Sequence, residues 1–306
     1  MEMYANLHTH STHSDGVHSP EKMVKVAKEE GFSAIAISDH DAGTAYPELK
    51  AACEREGMRC IFAVEFSVNR PVAAHIVAFD FDPEYPPMKK YLADMGLRQT
   101  DNTKKCFDEA VSLGNITGIT WEEVTEYNRG IIWLCNNHVF AAMQAKGLVK
   151  EEEYMAWYMK NYSKQRGKYP PICDFMEADK LVSLVREAGG FCVLAHPTDD
   201  QMDRIDEYLA IGIEGIEVWH SDLNEEQRAR SLSIALEKDL YVSGGSDHSG
   251  LLGGLYSSYP TEEALKASPH YIPLRSTGVP QGFFEELVSR RRASKEERLA
   301  WTAEQN

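Results

Sequence analysis

Seven short apolar runs, at 4–7, 34–38, 60–64, 75–79, 191–195, 215–219 and 240–243, have the length and composition of buried parallel strands. Most intervals between them carry helical periodicity. The first helix is clearly signed: Ser19 stands as an N-cap, Pro20 takes the first helical position, Met23, Val26 and Ala27 share a face, and Gly31 ends it. Similar patterns cover 44–56, 178–188, 200–210 and 224–238. Strand and helix therefore alternate, which predicts an α/β protein built on a parallel sheet or barrel.

The rhythm breaks once. More than a hundred residues separate the run ending at Phe79 from the run opening at Phe191, and their pattern is mostly helical. Pro83, Pro86 and Pro87 open this interval, and Pro170 and Pro171 stand near its close. The expected organisation is a discontinuous α/β domain over 1–83 and 177–290, an inserted helical domain over 84–176, and a charged C-terminal tail over 291–306.

Composition then narrows the function classes. With 306 residues, 43% of them hydrophobic, the chain can bury a core of its own. No apolar run nears the roughly 20 residues of a membrane span, and the start lacks the basic-then-apolar order of a signal peptide, so a cytoplasmic protein with no membrane partner is expected. The six cysteines form no C-x-x-C pair, which points to neither a disulfide framework nor a thiolate zinc site. They read as small apolar core residues. A net charge of −16 repels long nucleic acid and suits a small phosphorylated substrate held through cations. Nothing in the pattern specifies an oligomeric state.

Metal-friendly residues gather at the ends of the predicted strands. His8 and His10 follow the first, His40 the second, Glu65 the third, His196 the fifth, His220 the sixth, and Asp247 with His248 the seventh. In α/β barrels the loops after the strands share one rim, so such residues converge on one site. His75 is the exception, because it begins its run. In His8-Thr9-His10, alternation along an extended segment turns both imidazoles to the same side, within reach of one cation. Asp15, in a Ser14-Asp15-Gly16 turn, and the acidic Ser38-Asp39-His40-Asp41 follow. Imidazole with carboxylate is a ligand set for Mn, Fe or Zn. Glu65 ends an apolar strand, where an unpaired carboxylate is costly, so a cation is its natural partner and bridging two cations suits it. An ion pair to Arg70 is the plain structural alternative. Alone, His196 in Leu194-Ala195-His196-Pro197 reads as a satisfied core histidine, and Gly244-Gly245-Ser246 before Asp247 as a loop built for close approach or an ordinary turn. His13 and His18 read as solvent-facing, His220 as a lesser ligand candidate, and His270 has no partner pattern.

In this order and spacing the residues resemble the polymerase and histidinol phosphatase (PHP) superfamily, in particular its TrpH-like branch of nucleoside 3′,5′-bisphosphate phosphatases. The resemblance runs through His8-Thr9-His10-Ser11, Ser14-Asp15-Gly16, Ser38-Asp39-His40-Asp41, Val64-Glu65-Phe66, Ala74-His75, Leu194-Ala195-His196-Pro197, Gly215-Ile216-Glu217-Val218 and Gly244-Gly245-Ser246-Asp247, nearly the whole chain. It implies a distorted seven-stranded (β/α) barrel of PHP type with an inserted helical cap, binding two or three divalent cations, Mn first, with Fe, Zn or Mg as alternatives. By the same resemblance His8, His10, Glu65 and Asp247 would hold one metal, Glu65, His75 and His196 a second, and Asp15 and His40 a third. Asp39 and Asp41 would orient these ligands from behind. The chain departs from the family after the last strand, where D-x-H is usual and Asp247-His248-Ser249 stands instead. Either the loop lets His248 coordinate, or His220 or water substitutes, or the third metal is weak or absent. In the insertion, Asn136-Asn137-His138 replaces an arginine-proline-histidine stretch that opens a helix against substrate phosphate, and Arg98 matches the first of the family's basic residues. Arg98, Asn136 and His138 are therefore the expected substrate-binding set.

The chemistry implied is hydrolysis of small phosphate esters, nucleoside 3′,5′-bisphosphates first, by a hydroxide that bridges two cations and attacks phosphorus in line. Glu65 and Asp247 are the expected catalytic carboxylates. The leaving oxygen would take its proton from metal-bound water, Asp247 or a free histidine. Rival substrates are histidinol phosphate and the 5′ end of a short oligonucleotide trimmed 5′ to 3′. The rival of another class is a non-catalytic metal-binding module.

Overall fold

A computed structural model of the chain describes residues 3–16, 18–68, 74–162, 175–248 and 277–303. Helix α1 (Pro20–Glu29) forms as its sequence dictates: the Ser19 side chain accepts a hydrogen bond from Lys22 N, and Met23, Val24, Val26 and Ala27 are buried on one face. The chain leaves it through Gly31 at φ +92°, a conformation that favours glycine. Helix α2 (Tyr46–Glu56) packs beside α1.

The strands form two sheets. β1 (Ala5–Asn6), β2 (Ala34–Ile35) and β3 (Arg59–Cys60) are parallel neighbours in that order. β4 (Ala63–Val68), β5 (Ala74–Phe79), β6 (Phe191–Leu194), β7 (Gly215–His220) and β8 (Tyr241–Gly245) make the second sheet, also in chain order. Three sequence expectations are corrected here. The run at 60–64 is two strands, because the chain passes from one sheet to the other after Cys60. β5 pairs antiparallel with both β4 and β6, while β6, β7 and β8 are parallel. The short interval 69–73 between β4 and β5 is too brief for a crossover of roughly a dozen residues, so that pair must run antiparallel. Lastly, among the described residues no single closed seven-stranded barrel forms. Backbone hydrogen bonds nevertheless join the sheets at both margins, from Leu7 N to Gly244 O (3.0 Å) and from Glu65 N to Ser38 O (3.1 Å).

The main core includes Val64, Phe66, Ile76, Phe79, Phe191, Val193, Ile216 and Val242 from the five-stranded sheet. Helices α7 (Ala178–Glu187), α8 (Asp199–Asp203), α9 (Ile205–Ala210), α10 (Glu225–Glu237) and α11 (Gln281–Ser289) supply much of the remainder. The helix expected over 200–210 is broken at Arg204. Between β5 and α7 the chain forms α3 (Pro86–Ser112), α4 (Trp121–Tyr127), α5 (Asn136–Ala145) and α6 (Tyr154–Asn161). These helices hold a separate apolar cluster that includes Phe107, Val124, Phe140, Met143, Tyr154 and Trp157. The last described helix, α12 (Lys295–Ala303), is fastened by the buried Arg298, which donates to Leu240 O and lies 3.3 Å from Glu286 Oε1. Among the described residues no helix is long and apolar enough to cross a membrane. The five described cysteines are free thiols, four of them buried; Cys173 lies outside the described residues.

Candidate metal centre

Beyond β1 the extended backbone carries His8 and His10 into the interior, their rings 5.2 Å apart and both essentially without solvent exposure. Glu65 points inward from β4, and a parallel bridge sets His40 beside it. His75 reaches the same place although it begins its strand. Because β5 runs antiparallel, its start lies where β6 ends, and Ala195 N donates to His75 O at 3.1 Å, just before His196. Gly16 closes the loop after His10, where a Cβ would fall 2.1 Å from His10 O.

Five imidazoles surround the Glu65 carboxylate. Oε2 lies 3.3 Å from His8 Nε2, 3.4 Å from His10 Nε2 and 3.1 Å from His40 Nδ1, while Oε1 lies 2.9 Å from His75 Nδ1 and 3.1 Å from His196 Nε2. Asp247 Oδ1 is 2.9 Å from His10 Nε2 and 3.7 Å from His8 Nε2. Asp15 approaches His10 Nδ1 at 3.7 Å and His40 Nε2 at 3.9 Å. Among the described residues four sets could each grip one cation: His8, His10 and Glu65; His40, Glu65 and His75; His10, Asp15 and His40; and His8, His220 and Asp247.

The donor set fits divalent cations. His8 Nε2, His10 Nδ1 and Nε2, His40 Nδ1, Glu65 Oε2 and His220 Nε2 are all buried and, despite these close approaches, lack a well-directed hydrogen bond. Leaving one such atom unsatisfied costs about 1–3 kcal/mol, so a cluster of them calls for a shared partner. Protonation answers part of the demand. Burial lowers the His10 pKa, but Asp247, Asp15 and Glu65 outweigh it and lift the group to about 9. For His8, burial is outweighed by Glu217 and Glu65, which hold it well above the ordinary imidazole value. Burial raises Glu65, yet His8, His75 and His40 pull it well below the usual carboxylate range. Burial dominates at His40 and His220, both of which are lowered.

Residues 6–169, more than half of the chain, match the PHP domain. The chain belongs to the PHP domain family. This PHP chain is 27% identical over 259 residues to a phosphoribosyl 1,2-cyclic phosphate 1,2-diphosphodiesterase of Eggerthella lenta, covering 82% of the chain and 96% of that protein. It is 27% identical over 251 residues to a 5′-3′ exoribonuclease of Haemophilus influenzae, covering 79% and 88%. It is 25% identical over 256 residues to a 3′,5′-nucleoside bisphosphate phosphatase of Chromobacterium violaceum, covering 79% and 86%. A crystal structure from Bifidobacterium adolescentis, of a candidate metal-dependent phosphoesterase, matches with a TM-score of 0.77 at 25% identity over 96% of this chain and 98% of that one.

Behind the PHP site, Asp39 clamps the loop that carries His10 and Asp15. Its carboxylate accepts from Ser11 N, Ser11 Oγ and Ser14 Oγ, each at 2.7 Å. Asp41 accepts from Ser67 N at 3.4 Å, and burial raises its pKa to about 7. Asp41, His196 and Asp247 all take positive φ, at 47°, 26° and 52°, a strain that clusters at functional sites. His248 belongs to none of the four cation sets; its ring stacks on His18 at 5.5 Å, and its carbonyl accepts from His10 N. That stacking buries His18, correcting the expectation that it faces solvent. His13 is half-buried against Thr44. His220 is more central than its sequence context suggests: its Nδ1 accepts from Asp222 N at 3.1 Å, and its Nε2 lies 3.7 Å from Asp247 Oδ2.

The expected substrate-binding residues do not gather in the same way. Arg98 is exposed on α3. Asn136 donates to Tyr154 Oη and Asn137 Oδ1, both at 2.8 Å. His138 is buried and caps its own helix, with Nδ1 accepting from Cys135 N at 2.9 Å, and burial lowers its pKa to about 4. Three site residues were given no role by sequence reasoning, although Glu217 stood within one of the stretches that carry the family resemblance. Asn6, buried in β1, donates to Ser246 Oγ at 2.8 Å beside Asp247. Trp133 stacks on the His40 ring at 5.5 Å. Glu217 is buried against His8 and His196; the available signal was a lone acid inside an apolar strand. Arg70, Ser249 and His270 lie outside the described residues.

Proposed function

We propose that this PHP protein is a metal-dependent phosphoesterase acting on small phosphate esters carried by ribose, nucleoside 3′,5′-bisphosphates first. The observation that carries the reading is the set of buried nitrogen and oxygen atoms that converge on Glu65, most of them without a well-directed hydrogen bond. Bound divalent cations, Mn first with Fe, Zn or Mg as alternatives, would screen the phosphoryl oxygens and activate water for attack on phosphorus. The two oxygens of Glu65 face different imidazoles, which suits a carboxylate shared between two cations. His8, His10 and Asp247 form one side, His75 and His196 the other, and Asp15 with His40 a third position. Asp247, His75 and His196 keep part of their surface exposed, so the substrate phosphate enters between them while His8 and His10 exclude water from the floor.

The substrate class rests on two supports. Each of the three relatives is named for a ribose-bearing phosphate compound. Beside the centre, a cavity of about 460 Å³ is lined by Asp41, Tyr46, Leu92, Ile131 and Trp133, a size and apolarity that suit a nucleobase. We read the stretch 84–176 as a cap domain, since it supplies Trp133 against His40. Trimming of a short oligonucleotide from its 5′ end is the second reading, favoured by the exoribonuclease likeness.

The test is metal analysis of the purified protein with a phosphate-release assay on adenosine 3′,5′-bisphosphate, histidinol phosphate and a short 5′-phosphorylated RNA. Two or three cations per chain and release from the bisphosphate are expected. The double variant His8→Ala, His10→Ala should stay folded, lose metal, and lose more than about 100-fold in turnover. Bound metal with no release from any of the three would end the phosphoesterase reading.

A further inference from the structure

Glu217 occupies the middle of β7, completely buried, with Ile216 and Val218 as its apolar neighbours. It is in none of the four cation sets, yet both its carboxylate oxygens are engaged. Oε1 lies 2.9 Å from His8 Nδ1, and Oε2 accepts from the backbone N–H of His196 at 2.7 Å. We propose that Glu217 is a positioning residue that sets two metal-facing histidines from different strands at once, without binding metal itself. The inference rests on the metal-centre reading above.

At His8 the effect is on the tautomer. A carboxylate facing Nδ1 holds a ring proton there, so the nitrogen that gives up its proton to a cation is Nε2, which lies 3.3 Å from Glu65 Oε2 and 3.7 Å from Asp247 Oδ1. At His196 the effect is on the backbone. This residue stands at φ 26° and precedes Pro197, a pairing that the chain adopts only under restraint. The bond to Oε2 supplies that restraint and leaves the ring with Nε2 3.1 Å from Glu65 Oε1. β7 lies between β6 and β8, so one side chain ties the end of β6 to the segment after β1.

The geometry demands two acceptors together. An amide of the same shape offers one, and its NH2 end would meet either the His8 Nδ1–H or the His196 N–H donor to donor. Glu217→Gln, though isosteric, therefore releases one histidine whichever way the amide turns.

Two measurements decide this. Calorimetric titration of metal-stripped Glu217→Gln with Mn2+ should show affinity lowered about ten- to a hundredfold, beyond anything a change in the metal-free melting temperature explains. In the zinc-loaded wild-type protein, nitrogen-15 spectra of the histidine rings should show the His8 proton on Nδ1 and a metal-shifted Nε2. The second measurement needs no variant, so a poorly folding substitution does not shelter the idea. Wild-type Mn2+ affinity in folded Glu217→Gln, or a His8 ring without its proton on Nδ1, overturns it. Neither readout involves phosphate release: metal binding without turnover would sink the phosphoesterase reading and leave Glu217 in place.

Discussion

Around Glu65, protons and cations compete for the same atoms. His8 and His10 are held above the ordinary imidazole range by neighbouring carboxylates, whereas a metal ligand must be a neutral imidazole. With a pKa of about 9, His10 is protonated across the neutral range in the metal-free protein and must release that proton as a cation enters. Apparent Mn2+ affinity should therefore climb as pH rises from neutral towards 9. Titration calorimetry in two buffers of different ionisation heat measures the release directly, and no proton released at neutral pH would remove His10 from the ligand set. The same shift has a stability sign: a raised imidazole pKa stabilises the metal-free fold at low pH, and that contribution is lost as pH passes 9. The gathering of His8, His10, Asp15, His40, Glu65, His196 and Asp247 was legible because residues after successive strands share a rim, whereas His75, at the start of its run, was expected there only through the family resemblance. What the sequence could not tell was facing. Asp247 turns through a positive φ, and its neighbour His248 is carried away to stack on His18. Glu217 and His220 sit inside or at the end of β7, where an acid or histidine is visible but its partner strand is not.

Among the elements, β8 is constrained by a close backbone approach. A Cβ on Gly245 would fall 2.3 Å from His8 N and 2.6 Å from His8 Cβ, so bare backbone is what lets β8 approach the ligand segment. Gly245→Ala should push that segment away, lowering stability by about 1–3 kcal/mol in urea denaturation and reducing bound metal. Unchanged stability together with unchanged metal content would contradict the packing of β8 on β1. The alternation of strands and helices was readable from periodicity, and so was α1 with its cap. Strand direction was not. A run of apolar residues looks the same in either orientation, and only the brief 69–73 connection, weighed against crossover length, reveals that β5 is reversed. That reversal also explains His75, whose place at the start of its run was an anomaly only while all strands were taken as parallel.

At the scale of the molecule, charge separates the two substrate readings. A chain of net charge −16 repels a polyanion in proportion to its length, and salt screens that repulsion. Raising ionic strength should lower KM for a short 5′-phosphorylated oligonucleotide more than for a nucleoside bisphosphate. Steady-state kinetics at two salt concentrations check it; an oligonucleotide KM that worsens with salt would reveal a basic track and favour the exonuclease reading. The helical stretch between β5 and α7 packs around its own apolar cluster, yet sends Trp133 to lie flat on His40. That contact gives the chain a built-in lamp. A paramagnetic ion settling beside His40 would dim the indole emission at short range, so occupancy of the site can be followed by ordinary fluorescence in unlabelled protein. Trp133→Phe should abolish the dimming while leaving the ion count unchanged.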